Sequence, residues 1–359
     1  KDLTDGTAQI TSVGNTVFGE NTMYQNYFSI AAQYNLFDFG STNNKVLIAK
    51  KEVDVKKNVL SQSIRDIRLK VLNLYTDLLL NYKELESKKE LLTLYKELSL
   101  TKERLHAAGL ISRIEMVDDT MKVVKIIDAI DNLKLKFTSL LGDLSFYTGE
   151  GYQSEGLRVS DLKGKDDYDG GFDPERSPES RIYELEIQKK KAELAILQND
   201  RLPQFGLYSS YVWYASDRSE IDNPFLYTKP RNYFVGISAT LPLFEGFKTN
   251  ADIEKAKLEI DRLKVEKGKK LAELTARHAK LNEAKKTYTN GIENQKDMLD
   301  KTEAKLTMTE RLTEQKVIEW AELLKQKIEL VNQRYELARA IIQRVSAVKE
   351  LQILSGVSP

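Results

Sequence analysis

The chain has 359 residues, and its 55 Lys and Arg residues nearly balance its 54 Asp and Glu residues, giving a formal net charge of +1. That balance excludes a general affinity for nucleic acid or for anionic membranes. There is no cysteine, and the two histidines, His106 and His278, lie far apart in the sequence. Disulfides, thiolate chemistry and histidine-based metal sites are therefore excluded, and we expect no cofactor, no metal and no catalytic residue.

An internal repeat organises the chain. Residues 27–57 align without a gap with residues 234–264. Leu36 and Phe37 match Leu243 and Phe244, and the pair Thr42-Asn43 matches Thr249-Asn250. Shared helix composition does not explain identities outside the helical part, so we interpret the match as a duplication.

Each copy opens with about ten residues of apolar and polar alternation, the length of a transmembrane β-strand. The same alternation also fits an ordinary half-buried sheet. Under the membrane interpretation, the residues predicted to face lipid are Phe28, Ile30, Tyr34, Leu36, Val235, Ile237, Leu241 and Leu243.

Two further strands are predicted, at Gln204–Tyr214 and, more weakly, at Gly6–Val13, with a loop over residues 215–232. The aromatic residues Tyr211, Trp213 and Tyr214 suit a membrane–water interface. Four short strands do not close a barrel, which needs about eight to leave no edge. We therefore expect a homo-oligomer, in which three copies would contribute twelve strands.

Long helices fill most of the remaining sequence. From about Asn43 to Ala107, apolar residues follow coiled-coil spacing, which predicts a helix roughly 95 Å long. Ala107 to Ser112 is a predicted turn, and Ser177 with Pro178 begins another helix. The predicted segments are a first strand pair (1–40), a first helical hairpin (41–149), an irregular segment (150–177), a returning helix (178–202), a second strand pair (203–244) and a second hairpin (245–359).

Three stretches resemble a known family. The segments YNLFDFG (34–40) and LPLFEGF (241–247) resemble the strand-to-helix junctions of TolC-like outer-membrane efflux proteins. The segment RLHAAGLISRIEMVD (104–118) resembles that family's helix–turn–helix tip, where an acid follows a glycine by six residues, as Glu115 follows Gly109. The resemblance extends from about Tyr24 to Gly356. It implies a mainly α-helical fold with a β-barrel part: coiled-coil helices form an α-barrel tunnel, and four strands per protomer enter a trimeric twelve-stranded transmembrane barrel.

The resemblance also implies a function and a location. The protein would be a homotrimeric, passive exit duct in the outer membrane of a Gram-negative-type bacterium, extending into the periplasm. Its partners would be the lipid bilayer, a periplasmic adaptor and a proton-driven or ATP-driven inner-membrane pump, exporting small molecules or, in type I secretion, proteins. The tip residues Arg104, Gly109, Leu110 and Ile111 would dock the adaptor, although a plain hairpin turn also fits them. Glu319 and Glu322 would form the periplasmic entrance constriction, although a solvated helix face also fits them.

Two features depart from the family pattern. Members carry a long helix before the first strand, whereas this sequence starts almost at the strand. The second tip, within residues 310–324, lacks the glycine, so its register is open and Glu310 with Glu314 is the alternative acidic pair. A structural coiled-coil stalk and a periplasmic adaptor are the other candidate functions. A stalk does not need the strand alternation, and an adaptor would carry one hairpin instead of a duplicated strand–hairpin unit.

Overall fold

The computed structural model describes residues 6–13, 24–152, 157, 159–162, 168, 170–217 and 229–356. Most of these residues are helical, and a short 3-10 turn lies at Pro174–Arg176. In chain order the elements are β1 (Gly6–Val13), β2 (Tyr24–Phe37), α1 (Ser41–Ala107), α2 (Arg113–Thr148), α3 (Pro178–Asn199), β3 (Gln204–Asp217), β4 (Lys229–Thr240), α4 (Lys248–Glu314) and α5 (Trp320–Leu354).

The strands form one antiparallel sheet in the order β1-β2-β3-β4. Tyr34 of β2 is opposite Leu207 of β3, which is in turn opposite Ile237 of β4. Ile30 is likewise opposite Tyr211. Residues directly opposite one another share a face of the sheet, so the apolar positions predicted in separate strands come together on one face.

Three of the predicted lipid-facing positions differ from expectation. β4 ends at Thr240, so the prediction that Leu241 and Leu243 are strand residues is wrong. Pro242, between them, has no N–H to donate to a strand ladder, which explains the early end. In β2 the register shifts between Asn35 and Phe37, so Leu36 lies at a bulge that interrupts the regular alternation.

The strands also reach further than predicted. β3 continues to Asp217 and β4 begins at Lys229, so both enter the loop predicted over residues 215–232. Tyr214 pairs with Lys229 across this end of the sheet. Residues 218–228 lie outside the described residues, as do the side chains of Phe28 and Tyr214.

The predicted helix boundaries are largely confirmed, and their caps explain them. Ser112 caps α2 by accepting a hydrogen bond from the Glu115 N–H (3.3 Å), and Gly149 ends α2 in the left-handed region at φ 74°. Ser177 accepts a hydrogen bond from the Ser180 N–H (3.2 Å) at the start of α3. α4 and α5 both lie within the segment predicted as the second hairpin, residues 245–359. Among the described helices, none carries an apolar run long enough to cross a membrane.

The chain divides into two compact units. The first, residues 1–58 and 181–268, contains the sheet and is tied by ion pairs between helices, such as Lys189 Nζ to Glu52 Oε2 (2.5 Å). The second, residues 59–180 and 269–359, contains the two helix–turn–helix hairpins. In it, α1 packs on α2 through a cluster that includes Leu78 and Leu141, and on α5 through a cluster that includes Leu98 and Leu324.

Candidate functional site: the two helix–turn–helix tips

The first tip, residues 105–112, is a tight turn built on a glycine. Gly109 has φ 75°, a conformation that glycine adopts without the strain of a Cβ atom. The Ala108 N–H donates to the Arg104 carbonyl (3.0 Å) and the Leu110 N–H to the Leu105 carbonyl (2.9 Å). These bonds satisfy two of the last carbonyls of α1, the pattern expected where a helix ends at a left-handed glycine.

The predicted docking residues all lie at this tip. Leu110 is 71% exposed, and no other atom lies near the space a Cβ would fill at Gly109. Ile111 is half-buried, and its carbonyl lies 3.1 Å from His106 Nδ1. The tip therefore presents an exposed apolar side chain on a hydrogen-bonded turn, next to the exposed Arg104.

The second tip, residues 312–319, repeats this geometry without a glycine. Lys316 takes the left-handed conformation, at φ 58°. The Gln315 N–H donates to the Arg311 carbonyl (3.1 Å) and the Val317 N–H to the Leu312 carbonyl (2.9 Å). Each of these bonds has its counterpart 207 residues earlier in the first tip.

That offset settles the register that the sequence interpretation left open. Lys316 is the structural counterpart of Gly109, and Glu322 is the counterpart of Glu115. Glu310 and Glu314 precede the turn, so they do not correspond to the acid of the first tip. The sequence already contained this register. The repeat at residues 27–57 has the same offset of 207, and continuing its alignment without a gap pairs Leu105 with Leu312.

Glu319 and Glu322 lie at the start of α5 and differ in their surroundings. Glu319 occupies the N-cap position, is exposed and makes no capping hydrogen bond with its side chain. Glu322 is half-buried. Its carboxylate accepts a hydrogen bond from Gln326 Nε2 (3.0 Å) and forms an ion pair with Lys325 Nζ (3.3 Å). The Gln326 hydrogen bond, aided by Lys325, holds the pKa of Glu322 below its usual range, so this group is negative at neutral pH.

A tryptophan ties the second tip to the first hairpin. Trp320 Nε1 donates a hydrogen bond to Glu97 Oε1 of α1 (3.1 Å). The ammonium of Lys327 lies 5.8 Å from the centre of the Trp320 ring. Trp320 is 47% exposed, so the hydrogen bond to Glu97 links α5 to α1 at a partly open surface.

A buried ion cluster sits just behind the first tip, and sequence reasoning missed it. Asp119 is 2% exposed, with Lys102 Nζ at 2.6 Å and Lys122 Nζ at 2.9 Å. Burial raises the pKa of Asp119, but the ion pairs with Lys102 and Lys122 outweigh it and hold the pKa below its usual range. At the equivalent positions of the second hairpin, the buried residues are the neutral Thr309 and Gln326.

In the sheet, the residues predicted to contact the membrane include exposed apolar side chains and a pair of aromatic rings in contact. Val235 is 63% and Ile237 is 76% exposed, which leaves their apolar side chains uncovered by this chain. The rings of Tyr211 and Trp213 meet edge to face at 4.5 Å. Within the part of the chain that the structure describes, no group of three or more His, Cys, Asp or Glu side chains is arranged to hold a metal ion.

The family comparison decides the identity of this fold. The family described as outer membrane efflux protein matches residues 175–357, more than half of the chain. This chain belongs to the outer membrane efflux protein family. The match includes the returning helix, the second strand pair and the second hairpin, which carries Lys316 and Glu322.

Solved structures extend the similarity to nearly the whole chain. The outer membrane protein VceC from Vibrio cholerae has a TM-score of 0.78 at 15% identity, with 98% of this chain and 86% of that chain covered. The CmeC outer membrane channel of Campylobacter jejuni has a TM-score of 0.72 at 14% identity, covering 96% and 77%. The open-state MtrE outer membrane channel of Neisseria gonorrhoeae has a TM-score of 0.70 at 14% identity, covering 99% and 81%.

The comparisons confirm the resemblance to TolC-like channels stated from the sequence. The structural matches cover both copies of the repeat, including the first tip, which lies outside the family match. At these low identities the structural matches establish the fold alone. Comparison with curated proteins gives no matching relative. The family is one of outer-membrane efflux channels and not of enzymes.

Proposed function

We propose that this family member is the passive exit duct of an export system, a homotrimer that crosses the outer membrane and docks a periplasmic adaptor and its inner-membrane pump. The observation that carries the proposal is the pair of matching tips joined to a sheet with one apolar face. The duct has no catalytic step, so the pump supplies the energy for export. Its cargo, small molecules or proteins, is selected mainly by the pump.

The membrane part of the proposal rests on the sheet. A four-stranded sheet has two open edges, here β1 and β4, and unpaired edges within a bilayer are too costly to persist. Three copies joined edge to edge give a closed barrel of twelve strands. The shared face with Tyr34, Leu207 and Ile237 would then contact lipid, and Tyr211 with Trp213 would lie towards the interface.

The docking part rests on the first tip. Leu110 offers an exposed apolar contact, and the left-handed Gly109 positions it without strain. Arg104 and Ile111 flank this contact. An adaptor with a helical hairpin of its own would meet these residues end to end, burying Leu110 and pairing an acid with Arg104.

The gating part rests on Glu319 and Glu322. Three-fold symmetry would bring two acids from each copy around one axis, a ring of about six carboxylates that repels anions and attracts cations. Lys325 partly neutralises Glu322, so Glu319, which is exposed and makes no capping bond, would contribute more to this ring. Opening would need the adaptor, because helix packing as well as the ring keeps the entrance narrow.

Fractionation combined with an export assay tests the proposal. Expressed in a Gram-negative host, the protein should sediment with the outer membrane and migrate as a trimer before boiling. With its cognate adaptor and pump, it should restore export in a strain that lacks an outer-membrane channel. A protein found in the soluble periplasmic fraction as a monomer would contradict the proposal and favour a stalk or an adaptor.

A further inference from the structure

The sheet has a second face, opposite the one proposed to contact lipid. In the closed barrel proposed above, this face lines the lumen, where a polar lining is usual. The strand register places its residues in four tiers across β2, β3 and β4: Ser29 with Val212 and Asn232, Ala31 with Ser210 and Phe234, Gln33 with Tyr208 and Gly236, and Asn35 with Gly206 and Ser238. None of these residues is charged, and most are small or polar. We call this surface the lumen face.

Two aromatic residues interrupt the lumen face. Tyr208 of β3 and Phe234 of β4 occupy adjacent tiers, and their ring centroids lie 5.7 Å apart with the ring planes tilted by 51°. Both side chains are exposed in the described part of the chain, Tyr208 to 37% and Phe234 to 56%. The two rings, called here the lumen aromatic pair, therefore form one apolar patch on a surface that is otherwise largely polar.

A glycine leaves room for this pair. A Cβ atom at Gly236 would lie 2.9 Å from two ring atoms of Phe234, so the ring occupies space that a side chain at 236 would need. Aromatic rings often cover a glycine in a strand, which protects the backbone beneath them. Any large apolar side chain would give that cover, however, so cover alone does not require two aromatic rings in contact.

The charges around the pair favour a cation over an anion. Aromatic rings carry partial negative charge on their faces and attract cations that lie over them. No lysine or arginine occupies the four tiers, so none competes there for the ring faces. The acids proposed for the entrance, Glu319 and Glu322, act in the same direction, because a ring of carboxylates attracts cations.

We propose that the lumen aromatic pair is a binding site for planar aromatic cations on their way through the duct. The aromatic part of such a molecule stacks on Tyr208 and Phe234, and its positive charge lies against the negative ring faces. Three copies, each with two rings, would place six rings around the lumen at one level. The inference rests on the duct proposed above and assigns to its barrel a contact with one class of cargo.

The position of the pair suits a transient contact. β4 ends at Thr240, where the chain turns towards α4, and Gly236 lies four residues before that end. Four residues of a strand span about 13 Å. The pair therefore lies near the helical end of the sheet, where cargo from the tunnel would enter the barrel. Exposed contacts between a cation and an aromatic ring are weak, so the site delays a cation without trapping it.

Block of the ionic current in planar bilayers tests the site. The purified full-length trimer is probed with ethidium, a planar aromatic cation, added on the extracellular side so that it reaches the barrel without passing the tunnel entrance. Tetraethylammonium carries the same charge but has no aromatic ring. Ethidium should block at a concentration about tenfold lower than tetraethylammonium requires, because only ethidium stacks on the rings.

Leucine variants separate the aromatic contact from simple cover of the glycine. Tyr208→Leu with Phe234→Leu keeps apolar side chains beside Gly236 but removes both aromatic rings. It should raise the half-blocking concentration of ethidium about tenfold, with little change in conductance in potassium chloride. Phe234→Tyr keeps an aromatic ring and should keep the block. The matched control Tyr233→Leu removes the neighbouring ring on the opposite face of β4 and should leave the block unchanged.

The outcomes keep the site and the duct apart. Equal ethidium block in the wild type and the double leucine variant, with normal conductance in both, would overturn the site and leave the duct standing. An equal loss of block in Tyr233→Leu would also overturn it. If the double variant does not assemble, Tyr208→Leu alone decides: the half-blocking concentration should rise about two- to fivefold, and an unchanged value would refute the site. A wild-type protein that forms no channels would remove the duct and this inference together.

Discussion

The buried ion cluster of Lys102 and Asp119 behind the first tip gives a specific prediction. At the equivalent positions of the second hairpin, both buried residues are neutral. Replacing Asp119 with Gln leaves Lys102 charged beside it, and the Lys102 side chain is only 16% exposed. Removing one partner of a buried ion pair costs about 3–5 kcal/mol. Because Lys102 keeps some access to water, we expect about 3 kcal/mol, at the lower end of that range.

The double variant Lys102→Thr, Asp119→Gln should behave differently. It installs the pair found at the equivalent buried positions, Thr309 and Gln326. No charge is then stranded, so we expect stability within about 1 kcal/mol of the wild type. Lys122→Ala should also have a small effect, about 0–1 kcal/mol, because that lysine is half exposed.

Amide hydrogen exchange of the purified protein in detergent measures these effects locally. Asp119→Gln should speed exchange at the ends of α1 and α2 near the first tip by about a hundredfold, as 3 kcal/mol implies, with little change at the second tip. The double variant should restore most of the protection. If the double variant exchanges as fast as the single one, the stranded charge is not the cause and the reasoning fails.

The remaining predictions concern the sheet, the tip and the entrance. Ile237→Arg should cost about 2–4 kcal/mol near the bilayer midplane and lower the melting temperature of the trimer, whereas Ser238→Arg, on the other face, should have a much smaller effect; equal melting temperatures would argue against a lipid face. Gly109→Val should abolish export yet leave the trimer intact, because φ 75° suits a β-branched residue poorly. Its matched control, Lys316→Gly, should keep export; normal export by Gly109→Val would remove the docking role. Glu319→Ala with Glu322→Ala should abolish the block of planar-bilayer conductance by divalent cations added on the periplasmic side; a persistent block would mean that other acids line the entrance.

Sequence patterns predicted the helices and the duplication well because those features are locally encoded. Ser112 and Ser177 cap the helices that begin after the predicted turn and at the predicted helix start. The strand ends were harder to predict. The alternation of apolar and polar residues continues through Leu241 and Leu243. β4 nevertheless ends at Thr240, because Pro242 has no N–H to donate to a neighbouring strand.

The second tip shows where a motif search fails and a repeat succeeds. Lys316 adopts the backbone conformation that glycine favours, so a search for glycine missed the turn. The surrounding hydrogen bonds impose that conformation on a residue that resists it by about 1–2 kcal/mol. The Lys102–Asp119 pair was unpredictable for another reason: its burial depends on how α2 packs back on α1, which residue types alone do not reveal.

Electron cryomicroscopy of the purified full-length chain in lipid nanodiscs tests the proposed duct most directly. The account predicts three copies around one axis, with their sheets closed into a twelve-stranded barrel inside the disc and the hairpin tips outside it. The side chains of Val235 and Ile237 should face the lipid. A monomer, or a sheet lying outside the bilayer, would contradict the account.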